Sequence, residues 1–149
     1  MKIQVTARDK DIAARTLFGE GRGESRAGRI AILWVIRNRA EADLGNDGKP
    51  DWWGEGVAGV CQKQNARGVH QFSCWNIGDP NLKRISSVQI GDPVFRECLQ
   101  LVDEVFSDKI PDPTKSSTHY HTRAIMPAWA KGVKPAAAIG AHLFYNSVK

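Results

Sequence analysis

The chain has no long hydrophobic run. Its longest apolar stretch, Ile30 to Ile36, falls far short of the ~18 residues needed to cross a bilayer, so no stable membrane association is expected. No block of like charge is present either. The 21 Lys and Arg are scattered singly or in pairs among 16 Asp and Glu, which argues against a nucleic-acid-binding tail; no recognised binding motif for nucleic acid accompanies the charge. Met1 to Lys10 mixes Lys2, Arg8, Asp9 and Lys10 with isolated apolar residues, unlike the apolar core of a signal peptide, so synthesis in the cytoplasm is expected. Cysteine is scarce and odd in number. Cys61, Cys74 and Cys98 cannot all pair within one molecule, and they are expected to be thiols that pack as small hydrophobes rather than act as nucleophiles. Internal repeats, low-complexity segments and an HExxH motif are all missing.

What is present suffices for one folded domain over residues 1–149. The 149 residues, 42% hydrophobic and 25% charged, can bury a real core. The net charge of +5 predicts attraction to a polyanion, with an anionic cell-wall polymer fitting as well as a nucleic acid.

Patterning predicts an α+β chain that is predominantly helical. Thr6 with Asp9 three residues later has the form of a capping box, and Ile12, Ala13, Thr16 and Leu17 supply one face of a helix ending near Gly19. Ser25 to about Asp43 is apolar nearly all round and is expected to be the central buried helix. Gly45 to Pro50 reads as a loop, and Gly54 to Asp92 as short helices, turns and a small hairpin. Asp92-Pro93 starts a helix striped by Val94, Cys98, Leu101, Val102 and Val105, which Pro111 and Pro113 should stop. Ala141 to Tyr145 alternates as a strand does.

Three groups of residues could carry chemistry. In Ala14 to Glu24, Glu20 and Glu24 stand among Gly19, Gly21 and Gly23, where backbone and ligand can approach closely. An acid at a helix end, buried beside Phe18, would have its pKa raised enough to donate a proton near neutrality. Alternatively, both glutamates cap the second helix or pair with Arg15, Arg22 and Arg26, and spacing alone favours that structural role, for Glu24 above all. Second, Trp52, Trp53, Phe72, Trp75, Tyr120 and Trp129 fall in loop-like sequence. They either fill a core or pack on apolar sugar faces, with Gln71, Ser73 and Asn76 hydrogen-bonding hydroxyls and N-acetyl groups. Third, His119 and His121 in a strand would point the same way, and His142 could complete a zinc site of the kind amidases use; hydrogen-bonded structural histidines are the simpler expectation, and no metal or other cofactor is assigned.

Ala14 to Glu24, Ile32 to Arg39 with its Arg-Asn-Arg ending, Gln71 to Asn76, His119 to His121 with Pro127 to Ala130, and Ile139 to Tyr145 together resemble the SleB/CwlJ-type cell-wall hydrolase family, in the family's order over nearly the whole chain. The resemblance implies a lysozyme-like domain that cleaves the β-1,4 bond between N-acetylmuramic acid and N-acetylglucosamine in peptidoglycan. Glu20 would be the catalytic acid and Glu24 a supporting or second acid. Phe72, Ser73, Trp75, Asn76, Tyr120 and His121 would bind substrate. One departure is Gly21, where the family usually has Ala. The family includes lytic transglycosylases, so the resemblance favours that outcome, with 1,6-anhydro ends; such an enzyme can use one Glu as acid and then base, whereas a hydrolase needs two carboxylates, for which Glu24 is the second acid nearby. Muramidase-type hydrolysis, zinc amidase action and a non-catalytic wall-binding module stay open as alternatives. A monomeric phage or prophage endolysin is the expected type, made in the cytoplasm and acting in the periplasm or wall after the inner membrane opens.

Overall fold

The computed structural model describes residues 4–42, 53–54 and 56–148; the expected loop Gly45 to Pro50 and Trp52 lie outside them. Among the described residues, the helices are α1 (Ala7–Gly21), α2 (Arg26–Ala42), α3 (Gly56–Cys61), α4 (Pro80–Ser87) and α5 (Pro93–Phe106). The strands are β1 (His119–Thr122), β2 (Ala137–Ile139) and β3 (His142–Tyr145), and short 3-10 turns occupy Ser73–Trp75 and Ala128–Ala130. The three strands form one antiparallel sheet in the order β1-β3-β2.

Local chemistry explains the helix starts. Thr6 accepts from Asp9 N–H at 3.1 Å while Asp9 accepts from Thr6 N–H at 2.9 Å, the reciprocal capping box. Asp79 and Asp92 cap α4 and α5, each with Pro in the first turn. The Ser25 hydroxyl accepts from Gly28 N–H at 3.2 Å as α2 begins.

Two expected ends shift. α1 runs through Gly19 to Gly21, because this glycine faces packing rather than a turn: a Cβ there would sit 2.7 Å from Cys74 Cβ and 2.9 Å from Ile85 Cγ2. α5 stops at Phe106, ahead of both prolines. Asp108 takes a left-handed backbone, φ 63°, and its N–H and Arg37 Nη1 both donate to the Val105 carbonyl at the helix end, at 3.3 and 2.7 Å. The expected hairpin between Gly54 and Asp92 reduces to an isolated bridge, Gln64 to His70.

α2 is buried all round because it has partners on two sides. Ile32, Leu33 and Ile36 join Leu17, Val57, Val60, Leu101 and Val105 in the main core, while Ala31 and Val35 pack on Phe144 of the sheet. Each fully buried Leu or Ile contributes about 1.5–3 kcal/mol, so this helix anchors both layers. Arg29 fastens its N-terminal end to the end of α1. Its Nε and Nη2 donate to the carbonyls of Gly21 (3.0 Å) and Arg22 (2.7 Å), and its Nη1 meets Glu97 at 3.0 Å. The angle between α1 and α2 is thereby fixed, and with it the position of Glu20.

Candidate active site

Glu20 projects from the last turn of α1 into a cavity of about 1060 Å³. Of its carboxyl, Oε1 is occluded from solvent and has no hydrogen-bond partner. Burial raises its pKa; hydrogen bonds from the Cys74 backbone and thiol pull the other way, and the nearby charge of Asp79 adds to the rise. An acid held this way keeps its proton to higher pH. The structural alternative for Glu20 is not what the fold adopts. Arg15 pairs with Asp11 at 3.0 Å, Arg26 with Glu104 at 3.4 Å, and Arg22 lies over the Phe18 ring.

The Ser73–Trp75 turn is pinned against α1, which brings Ser73 and the Cys74 hydrogen bonds to Glu20. Trp75 Nε1 donates to Thr16 Oγ1 at 3.0 Å, and Asn76 Oδ1 accepts from His70 N–H at 2.7 Å, tying this turn to the preceding bridge. Trp75 and Asn76 therefore hold the wall from behind. Neither lines the cavity, in contrast with the expectation that they contact substrate. Gln71, Phe72, Ser73, Tyr120 and His121 do line it.

The opposite wall follows from sheet register. Since side chains alternate along a strand, Tyr120 and Thr122 share a face with their partners Phe144 and His142, turned toward α2. His119 and His121 share the other face with Tyr145 and Leu143. Trp129 packs on that second face, with ring centroids 5.0 Å from His119, 5.6 Å from His121 and 5.2 Å from Tyr145. His121 Nε2 and the Tyr145 hydroxyl are 2.7 Å apart, and its Nδ1 is 2.7 Å from the Thr122 carbonyl. Burial, then the charge of Arg39, pulls the His119 pKa down to about 4, so this imidazole is neutral at physiological pH. Burial, then Glu20's charge, drives the Tyr120 hydroxyl far above the ordinary tyrosine range.

This register speaks against the zinc alternative. His142 lies on the opposite face from His119 and His121, with its Nδ1 2.7 Å from Glu24 Oε1, so the three imidazoles do not converge on one point. Among the described residues, no group of three or more His, Cys, Asp or Glu is arranged to hold a metal ion. Glu24 itself does not line the cavity, and it reaches it only through His142. Cys61, Cys74 and Cys98 are buried thiols whose pKa values are raised chiefly by burial, to about 12 for Cys61 and about 11 for Cys98, which suppresses nucleophilic thiolate.

Arg39, Thr122 and Val148 also line the cavity, although sequence pattern assigns them no site role. Arg39 had a signal in the Arg-Asn-Arg ending of α2. Arg37 grips the end of α5, Asn38 Nδ2 donates to Asp112 Oδ2 and the Ser117 carbonyl, both at 3.0 Å, and Arg39 Nε donates to the Thr118 carbonyl at 2.6 Å. Three successive residues thus clamp three segments, and the last sets β1 beside Glu20. Trp53 and Trp129 complete the aromatic lining.

A largely buried acid with a raised pKa, facing aromatic and hydroxyl groups across an open cleft, is equipped for general acid catalysis on a saccharide. Residues 23–145 match the family described as cell wall hydrolase, and the chain belongs to that family. The match includes Glu24 and His142 and begins just after Glu20. Its enzyme class is therefore that of peptidoglycan-cleaving hydrolases. Among solved structures, the catalytic domain of the germination-specific lytic transglycosylase SleB from Bacillus anthracis is 19% identical with a TM-score of 0.67, over 98% of this chain and 100% of that one. The catalytic domain of the Bacillus cereus SleB protein is likewise 19% identical, with a TM-score of 0.62 over 96% and 93%. These likenesses bear out the predominantly helical, lysozyme-like α+β fold. No curated protein matches the chain. No helix among the described residues is long and apolar enough to cross a membrane.

Proposed function

We propose that the chain is a lytic transglycosylase that cleaves the β-1,4 bond between N-acetylmuramic acid and N-acetylglucosamine, with Glu20 as acid and then base. The observation that carries this reading is that Glu20 is the carboxylate lining the cavity among the described residues. Retaining and inverting hydrolases pair two carboxylates across the bond, whereas one acid suffices when the sugar's own hydroxyl is the nucleophile. Glu20 would protonate the glycosidic oxygen as the bond to C1 breaks. The resulting carboxylate would then take the proton from the muramoyl 6-hydroxyl as its oxygen closes on C1, leaving a 1,6-anhydro end and a regenerated acid. Tyr120, Ser73, Gln71 and His121 would hydrogen-bond the sugar, while Phe72, Trp53 and Trp129 would offer ring faces. The similarity in fold to a domain named a lytic transglycosylase is in keeping with this chemistry. The chain's +5 charge favours approach to anionic wall polymer.

Mass spectrometry of digested peptidoglycan tests the proposal. Anhydromuramoyl ends are the expected product. Reducing muramoyl ends would replace it with hydrolysis, and freed stem peptides with intact glycan would reject glycosidic cleavage altogether.

A further inference from the structure

The mechanism above leaves one buried pair unused. Glu24 Oε1 and His142 Nδ1 lie 2.7 Å apart, both are occluded from solvent, and neither atom has a hydrogen-bond partner among the described residues. The glutamate side chain is 18% exposed and the imidazole 9%. The elbow after α1 and the turn before β3 close around them. A Cβ on Gly28 would come 3.5 Å from Glu24 Oε1 and one on Gly140, at φ +56°, 3.7 Å. A carboxylate sealed away with one imidazole is costly unless the two compensate each other.

His142 nevertheless lines the same cavity as Glu20. With Nδ1 turned to Glu24, Nε2 is the ring nitrogen left on the cavity side. The Tyr120 ring stands edge-on to the imidazole at 5.1 Å, which fixes its tilt. The charged and titratable groups facing it are Glu24 from the elbow, Tyr120 from β1 and, across the cavity, Glu20 from α1 and Arg39 from α2.

From this geometry we infer that His142 binds the saccharide through Nε2, accepting a hydrogen bond from a sugar O–H or N–H, and that Glu24 is the positioning residue that holds its ring. A carboxylate on Nδ1–H selects the tautomer whose Nε2 is an acceptor. The inference rests on the glycosidase reading and assigns Glu24 a role other than second acid at the scissile bond. It also explains why a glutamate so near Glu20 in sequence is turned away from the cavity.

The test joins a spectroscopic arm to a kinetic one. In E20Q, which removes the catalytic proton, nitrogen-detected NMR should show His142 protonated on Nδ1. Adding a tetrasaccharide of alternating N-acetylglucosamine and N-acetylmuramic acid should shift Nε2. An Nε2–H tautomer, or an Nε2 signal unmoved at saturating tetrasaccharide, would overturn the inference. On otherwise native protein, Glu24→Gln and His142→Gln should each lower kcat by about 10- to 100-fold through a mispositioned substrate, with the double variant no worse than the weaker single one. Losses that multiply in the double variant would overturn it too, since independent residues add in free energy. The NMR arm reads ring nitrogens and not turnover, so failure of the transglycosylase reading and failure of this inference are told apart.

Discussion

The last turn of α1 and the elbow that follows it each present a glutamate, and the two differ in what surrounds the carboxyl. Glu20 is part of a continuous helix, backed by the Ser73–Trp75 turn, and lines the cavity. Glu24 lies beyond the helix, near Gly140 and outside the cavity lining, with its Oε1 2.7 Å from His142 Nδ1. The same residue type, four positions apart, thus becomes an acid open to a ligand in one place and an anchor for an imidazole in the other. Helix continuity makes the difference. Had α1 ended at Gly19, Glu20 would share the elbow's freedom; the close packing of Gly19 on Cys74 and Ile85 carries it one step further into a fixed turn.

Breaking the first half of that contrast should have the largest effect. Glu20→Gln should lower kcat by about 10²- to 10⁴-fold, the usual range for a lost general acid, measured as release of soluble fragments from purified walls. The same variant should remove a pH dependence of stability. Because the folded pKa of Glu20 is raised above the ordinary 4.5, its contribution is fully present below that value and is lost as pH rises through the folded pKa. Thermal melts across the acid range should show that decline in the native chain and its absence in E20Q.

Gly19→Ala should come next, costing about 1–3 kcal/mol of stability by overpacking, with a fall in kcat as the turn carrying Cys74 is pushed from Glu20. Denaturant titration alongside wall digestion checks both, and an unchanged stability would mean the α1 contact is looser than its geometry. On the far wall, Trp129→Ala should raise KM by about tenfold, on the order of the 1.4 kcal/mol that one lost aromatic face supplies, with the product type unchanged. Smallest of all, Trp75→Phe should cost about 1 kcal/mol through its hydrogen bond to Thr16 while kcat and KM stay as they are. A large rise in KM would return Trp75 to the binding surface.

Much of the helical frame was legible along the chain. The Thr6 and Asp92 caps, the α5 stripe and the all-round apolarity of α2 are local patterns, and each marks an element that forms. Helix ends were less legible where distant residues decide them. Gly19 looks like a breaker until Cys74 and Ile85 are packed on it, and Pro111 looks like the stop of α5 until Arg37 reaches across to the Val105 carbonyl. In the candidate site, Phe72, Ser73, Tyr120 and His121 stood in stretches that could be read as binding sequence. Trp75 and Asn76 belong to the same stretch yet face away, because a 3-10 turn sends neighbouring side chains in different directions. Arg39 was hidden in a helix, where a charged residue normally reads as surface.

By itself the sequence determined the helical majority, the buried character of α2, the strand from His142 to Tyr145 and the presence of an acid at the end of α1, since caps, periodicity and glycine placement act over a few residues. Tertiary structure alone decided which glutamate faces the cavity, which histidines share a sheet face and which aromatics line the cleft. Those outcomes depend on strand register and helix packing between segments distant in the chain, and no local pattern encodes the direction in which a side chain finally points.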